Sequence, residues 1–171
     1  MTAGSRSRLV LLALVMAVAA ARAHAGPPPT PDDYATDLAG VVEPARLAAL
    51  DQKLAAYDRK TTNQIVVFVD RALPAGAVLE EFATAAFDAW KVGQKDKDNG
   101  VVFFVFVDDR RMRLALGRGA NEVISDALAA EIIDTEAKPR FRQKDFAGGI
   151  EAVVDRVMQA LDAAAPPSGK R

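Results

Sequence analysis

Seven consecutive apolar residues, Val101 to Val107, lie between Asp98-Asn99-Gly100 and the polar stretch Asp108-Asp109-Arg110-Arg111. After that stretch Met112, Leu114 and Leu116 alternate with Arg111 and Arg113, and Gly117-Arg118-Gly119 follows. An unbroken apolar run predicts a strand covered on both faces, and period-two alternation predicts a half-buried one. The short charged link makes the two an antiparallel hairpin. Its open end then brings Asp98-Asn99-Gly100 beside Gly117-Arg118-Gly119-Ala120-Asn121. One sheet edge thereby gathers an acid, two amides and three glycines, a plausible floor for a small polar site.

Residues 1–25 read as a secretory signal peptide. Arg6 and Arg8 supply the basic start, Leu9 to Ala21 the apolar stretch, and Ala23-His24-Ala25 the small-x-small cleavage site. The apolar stretch is short for a membrane span and ends at Arg22, so removal is preferred to retention as an anchor. Residues 26–36, rich in proline, read as an extended spacer. Residues 37–162 form one domain and 163–171 a polar tail. No apolar span follows the domain, so the mature chain is expected to carry no transmembrane helix. The expected location is the periplasm or the exterior.

The signal would take three arginines with it, leaving a chain more acidic than the full sequence's formal charge of −1. That balance argues against nucleic acid as a partner. There is no cysteine, and the one histidine, His24, falls within the signal. Ser-His-Asp and Cys-His catalysis, histidine phosphatase chemistry and ordinary zinc sites are therefore excluded for the mature chain. What remains is carboxylates, amides, hydroxyls, Lys, Arg, or a hard metal held by oxygen.

Pro44 opens a helix with Leu47, Leu50, Leu54 and Tyr57 on one face. Gln64 to Val69 predicts a β-branched strand, and Leu79 to Trp90 a second amphipathic helix. A strand, a helix and a buried strand make a right-handed crossover, so Gln64–Val69 and Val101–Val107 should be parallel. Ser125 is placed to cap a helix ending before Pro139, and a last helix carries Phe146, Ile150, Val153, Val157 and Leu161. The fold class is α/β, a three-layer α/β/α sandwich around a small mixed β-sheet. The segment with Asp37 is expected to cross the edge that holds Asp98 and Gly117.

Several motifs have plain structural readings. Lys95-Asp96-Lys97-Asp98-Asn99-Gly100 is out of register for an EF-hand, with Val107 where the bidentate glutamate belongs. Asp98-Asn99-Gly100 also serves as a turn into the strand. Gly117-Arg118-Gly119 lacks the spacing of a dinucleotide fingerprint and reads as a glycine turn into a helix, with Asn121 as an N-cap. Asp126 suits a helix N-terminus, Trp90 a core anchor, and Asp108-Asp109-Arg110-Arg111 a solvated tip.

In order and spacing the pieces resemble the TPM domain family, also called the TPM phosphatase family. The matching residues are Asp37-Leu38-Ala39-Gly40, Thr62-Asn63-Gln64-Ile65-Val66-Val67 and Trp90-Lys91-Val92-Gly93. They continue with Asp98-Asn99-Gly100-Val101, Arg113 to Gly119, Asp126, Pro139-Arg140-Phe141-Arg142 and Gly148-Gly149-Ile150. The resemblance implies an α/β/α sandwich at or outside a membrane, divalent-cation binding, phosphatase activity in some members, and maintenance of membrane protein complexes. Carried over, it implies an acidic groove of Asp37, Asp98 and Asp126. The chain departs from the family at Gly119-Ala120-Asn121, where the usual acid is lost or shifted to Glu122. Many relatives also have a membrane helix after the domain.

Three functions follow as expectations. The first is an exported module that binds a divalent cation, with calcium the expected ion, at Asp37, Asp98, Asn121 and Asp126, and acts on exported or membrane proteins. The second is a weak metal-assisted acid phosphatase on phosphate monoesters, with Arg118 or Arg142 holding phosphate. The third is a scaffold without a metal site.

Overall fold

The computed structural model describes residues 30–31 and 33–164, so the expected signal peptide, the proline-rich stretch before Thr30 and the end of the tail lie outside the described residues. The elements run β1 (Ala35–Asp37), α1 (Pro44–Thr61), β2 (Gln64–Asp70), α2 (Leu79–Trp90), β3 (Gly100–Phe106) and β4 (Arg111–Leu116). Then follow α3 (Arg118–Asn121), α4 (Asp126–Ile132), a π-helical turn (Ile133–Ala137), α5 (Lys138–Arg142) and α6 (Phe146–Ala164). The sheet order is β1-β2-β3-β4, with the first two pairings parallel and β3–β4 antiparallel. This is the expected α/β/α sandwich.

Strand β3 is central because every one of its residues is apolar or glycine and all are buried. Its side chains divide by parity. Val101, Phe103 and Val105 pack with Ile65, Val67 and Val69 under α1, α4 and α6. Val102, Phe104 and Phe106 face α2 with Val66 and Phe68. There Phe82 meets Phe104 and Phe106 edge-on at 6.0 and 5.4 Å, and Trp90 lies 5.2 Å from Phe68. Trp90 is thus the core anchor it was read to be. Burial of each such ring contributes about 1.5–3 kcal/mol.

Strands β1, β2 and β3 lie side by side in chain order, yet α1 and α2 cover opposite faces. Two crossovers that step the same way across a sheet with helices on opposite faces have opposite hands. One of them is therefore of the rare left-handed kind. Arg46 grips Glu151 with two hydrogen bonds of 3.0 and 2.7 Å, and Lys53 pairs with Asp155. Tyr57 donates to Asp162 at 2.9 Å, so these contacts dock α1 onto α6. Burial, with that bond second, pushes the Tyr57 phenol up to about 12.

Three readings need correction. Ala35 and Thr36, assigned to the spacer, belong to β1, an edge strand too short to show a period. Helical structure continues past Pro139, because the π turn just before it accommodates a residue that cannot donate a hydrogen bond. Asn121 ends α3 rather than capping a helix; Gly117 holds that N-cap, and Ser125 caps α4 by accepting from the Leu128 N–H at 3.2 Å.

Candidate functional site

The hairpin does bring its two ends together. Gly117 N–H donates to the Gly100 carbonyl at 2.9 Å, and Gly119 N–H to the Asp98 carbonyl at 3.0 Å. The Asp98 carboxylate accepts from the Arg118 N–H at 3.0 Å and from Arg118 Nε at 3.2 Å. These bonds, the backbone one first, hold the Asp98 carboxyl below its usual range. A Cβ on Gly117 would stand 2.3 Å from the Asp98 carbonyl oxygen and 2.7 Å from Oδ1, so only glycine permits this approach.

Asn99, buried at the same edge, spends its amide on the fold. Its Oδ1 accepts from the Gln94 N–H at 2.9 Å, while Nδ2 donates to the Thr62 carbonyl at 2.7 Å and to Asn63 at 3.0 Å. Gln64 accepts the Gly93 N–H at 2.6 Å. The sequence shows Gln64 only as the first residue of a strand and Asn63 only as its neighbour in the family-like stretch Thr62 to Val67. Their part is to lock the loop before β3 onto the start of β2.

Asp37 does not cross this edge. It is paired in register with Val69, whereas Gly100, next to Asp98, is paired with Gln64. At about 3.3 Å per residue Asp37 and Gly100 stand roughly 17 Å apart along β2, and Asp98 precedes Gly100 by two residues at that far end. The reason is the missed strand: β1 runs parallel to β2, and Asp37 ends it. Its carboxylate accepts four backbone N–H groups, from Ala39 and Gly40 at one oxygen and Val41 and Val42 at the other, at 2.8–3.0 Å. The four-residue set Asp37, Asp98, Asn121 and Asp126 is therefore not one cluster. Asn121 is exposed on α3 beside the Asp98 edge, and Asp126 is exposed in the first turn of α4. Among the described residues, no three His, Cys, Asp or Glu side chains converge as a metal-ligand group.

The two arginines expected to hold phosphate are also apart. Arg118 reaches Asp98 with its side chain 94% exposed. Arg142 lies at the other end of the sheet, in a cleft of about 510 Å³ beside Val105, Phe106 and Val107. The carboxyl ends of parallel strands are where open α/β sheets hold ligands. Arg110, Lys138 and Lys144 line the same cleft, and among the described residues no acidic one does. Sequence reading passed over Lys138 and Lys144; helical spacing of Lys138, Phe141 and Arg142 was the available signal. The tip is not wholly solvated, since Asp109 accepts the Leu73 N–H at 2.7 Å.

The TPM domain family model matches residues 35–160. A solved N-terminal domain of a protein from P. gingivalis is similar at 28% identity, with a TM-score of 0.70 over 77% of this chain and 83% of that one. The BA42 protein from the psychrophilic bacterium Bizionia argentinensis shares the fold at 20% identity and a TM-score of 0.63, over 73% of this chain and 84% of that one. So does the N-terminal domain of the cg2496 protein from Corynebacterium glutamicum, at 18% and 0.59, over 86% and 92%. No curated protein matches in sequence. The family model covers most of the chain, and its span coincides with the sandwich from β1 into α6: the chain belongs to the TPM domain family.

Proposed function

We propose that this chain is an exported accessory module that works by binding other exported or membrane proteins rather than by turnover. The observation that carries this reading is the use of its polar groups. Asp37, Asp98 and Asn99 are spent on backbone donors and acceptors of their own fold, which makes a rigid polar shell. A rigid shell with satisfied polar groups suits recognition.

A divalent cation, calcium first, belongs to this reading at the Asp98 turn. The carboxyl is held in its ionised form, and the solvent-facing Arg118 guanidinium can leave it to an incoming ion. With one carboxylate, and Asn121 nearby to help, affinity falls in the range of extracellular modules, roughly 10⁻⁴–10⁻³ M. Metal-assisted hydrolysis of a phosphate monoester is the second reading, favoured by Arg142 in the cleft at the carboxyl edge.

A calcium titration followed by assay on a generic phosphate ester tests the cation and sets binding against hydrolysis. The expected result is a rise in melting temperature at millimolar calcium, lost in Asp98→Ala, with no turnover above background. Cation-dependent turnover would put hydrolysis first. An unmoved melting curve would remove the cation from the reading.

A further inference from the structure

We infer that the carboxyl edge of the sheet, continued along the free side of β4, is a groove for an extended acidic segment of a partner protein. This rests on the accessory-module reading and names the partner's chemistry.

The groove has two parts. The 510 Å³ cleft ends at Arg110, Met112 and Lys138, and the same three residues line a neighbouring cavity of about 460 Å³ between α2 and the π turn. Its cations are spread along this length rather than gathered at a point. Arg142 and Lys144 line only the first part, Arg111 only the second, and Arg110 both. Among the described residues, none of these four has a carboxylate within salt-bridge distance. The two acids that reach the groove are engaged, Asp134 with Lys138 at 2.5 Å and Glu80 with Arg113 at 3.9 Å. A distributed row of unpaired cations, in a chain whose formal charge is −1, complements several carboxylates on an extended backbone.

The floor is apolar and built. Phe141 and Phe146 meet at 5.1 Å in an edge-on pair. The Phe141 ring lies against Gly149 of α6, where a Cβ would come within 2.5 Å of it. Lys138, Phe141 and Arg142 stand at i, i+3 and i+4 on α5, so one helix face supplies both charge and anchor. A side chain inserted beside the two rings is the hydrophobic hold that an acidic segment alone would lack.

The free side of β4 offers the backbone. Gly117 bonds Gly100 across the hairpin, so by antiparallel alternation residues 111, 113 and 115 turn their polar groups toward β3, and 112, 114 and 116 turn theirs outward. Among the described residues, these outward groups bond no other backbone group. β4 is the last strand of the sheet, and the edge beside Met112 opens onto the groove. A strand added there gains main-chain bonds, while the row of cations chooses acidic side chains.

The test is binding of a labelled peptide of about eight residues, alternating glutamate and valine with one phenylalanine, to the purified protein by fluorescence anisotropy. Expected are binding that weakens as salt rises, about tenfold loss on Arg142→Ala and on Arg111→Ala, and no change on Arg118→Ala at the opposite edge. A peptide with lysine for glutamate should fail to bind, and N-methylation at alternate residues should weaken binding about tenfold. Equal binding of the lysine peptide, or indifference to both Arg142→Ala and Arg111→Ala, overturns the groove. Full affinity of the N-methylated peptide with displacement by 1-naphthyl phosphate makes it a small-anion site instead. Arginine-dependent sedimentation with phosphatidylglycerol vesicles, without peptide binding, assigns it to membrane. In each of these cases a calcium shift lost in Asp98→Ala would leave the accessory reading standing, so the two fail separately.

Discussion

Gly117 and Asp98 approach so closely that a single methyl group cannot be placed between them: the Asp98 carbonyl oxygen would lie 2.3 Å from it. The obstacle is backbone, which cannot swing aside. Gly117→Ala should therefore cost about 1–3 kcal/mol, the range of forced overpacking. Urea unfolding with an unchanged slope and a lower midpoint would show this. A midpoint equal to wild type would mean that the hairpin ends are not held together.

Asp98 predicts the acid limb of stability. Its folded carboxyl lies below the usual carboxylate range, first through the Arg118 N–H and then through the guanidinium. A depressed carboxyl stabilises the fold above its unfolded pKa and loses that contribution as pH falls through the folded value. Asp98→Asn should thus be less stable than wild type near pH 7. The gap should close as pH falls below about 4. Its side chain is 36% exposed, so solvent keeps the effect modest. A gap that stays constant from pH 7 to pH 3 would assign the effect to packing alone.

Asp37 predicts a different failure. Four backbone donors of the turn before α1 share its two oxygens. Asp37→Ala should cost about 2–3 kcal/mol, in line with hydrogen bonds to a charged acceptor. Asp37→Asn keeps one accepting oxygen and should recover part of it. Neither change should alter calcium's effect on the melting curve, because Asp37 sits at the far end of β2 from Asp98. Loss of the calcium shift in Asp37→Ala, measured by differential scanning calorimetry, would bring Asp37 back to the metal.

Gly149 predicts a local rearrangement. An added methyl meets the side of the Phe141 ring at 2.5–2.6 Å, and the half-buried ring has room to move toward the cleft. Gly149→Ala should shift the NMR signals of the Phe141 and Phe146 rings while lowering stability by about 1–3 kcal/mol. Unchanged ring signals would place Phe141 away from α6.

Where the sequence spoke clearly, it did so through period and punctuation. The Val101–Val107 run, the charged tip and the Met112-Leu114-Leu116 alternation specified the hairpin, and with it the meeting of Asp98 and Gly117. β1 escaped because Ala35, Thr36 and Asp37 are three residues on an edge, with no face pattern to show. Missing it displaced Asp37 to the wrong end of the sheet and produced a metal set that the register takes apart.

The cleft was hidden for another reason. Pro139 reads as a stop, yet the π turn at Ile133–Ala137 carries helical backbone past it. Lys138, Phe141 and Arg142 thereby form one face under the end of β3. A one-residue widening of a helix has no periodic signature.

The opposite hands of the two crossovers bear on the order in which the chain can be completed. Local strand twist favours only one hand, so the helix on the other must be held by what it packs against. Whichever hand it has, α1 also packs against α6: Arg46 and Glu151 are 105 residues apart in sequence, as are Tyr57 and Asp162, and Lys53 and Asp155 are 102 apart. A chain ending before Phe146 lacks every one of these partners, so we expect such a truncation to leave α1 loosely docked and its face of the sheet partly uncovered, visible as faster amide exchange across residues 44–61. Protection of those amides in the truncated chain would refute it. On this account the polypeptide cannot seal this face of its core until α6 has emerged from the ribosome, so the contacts that fix its first long helix are among the last it can make.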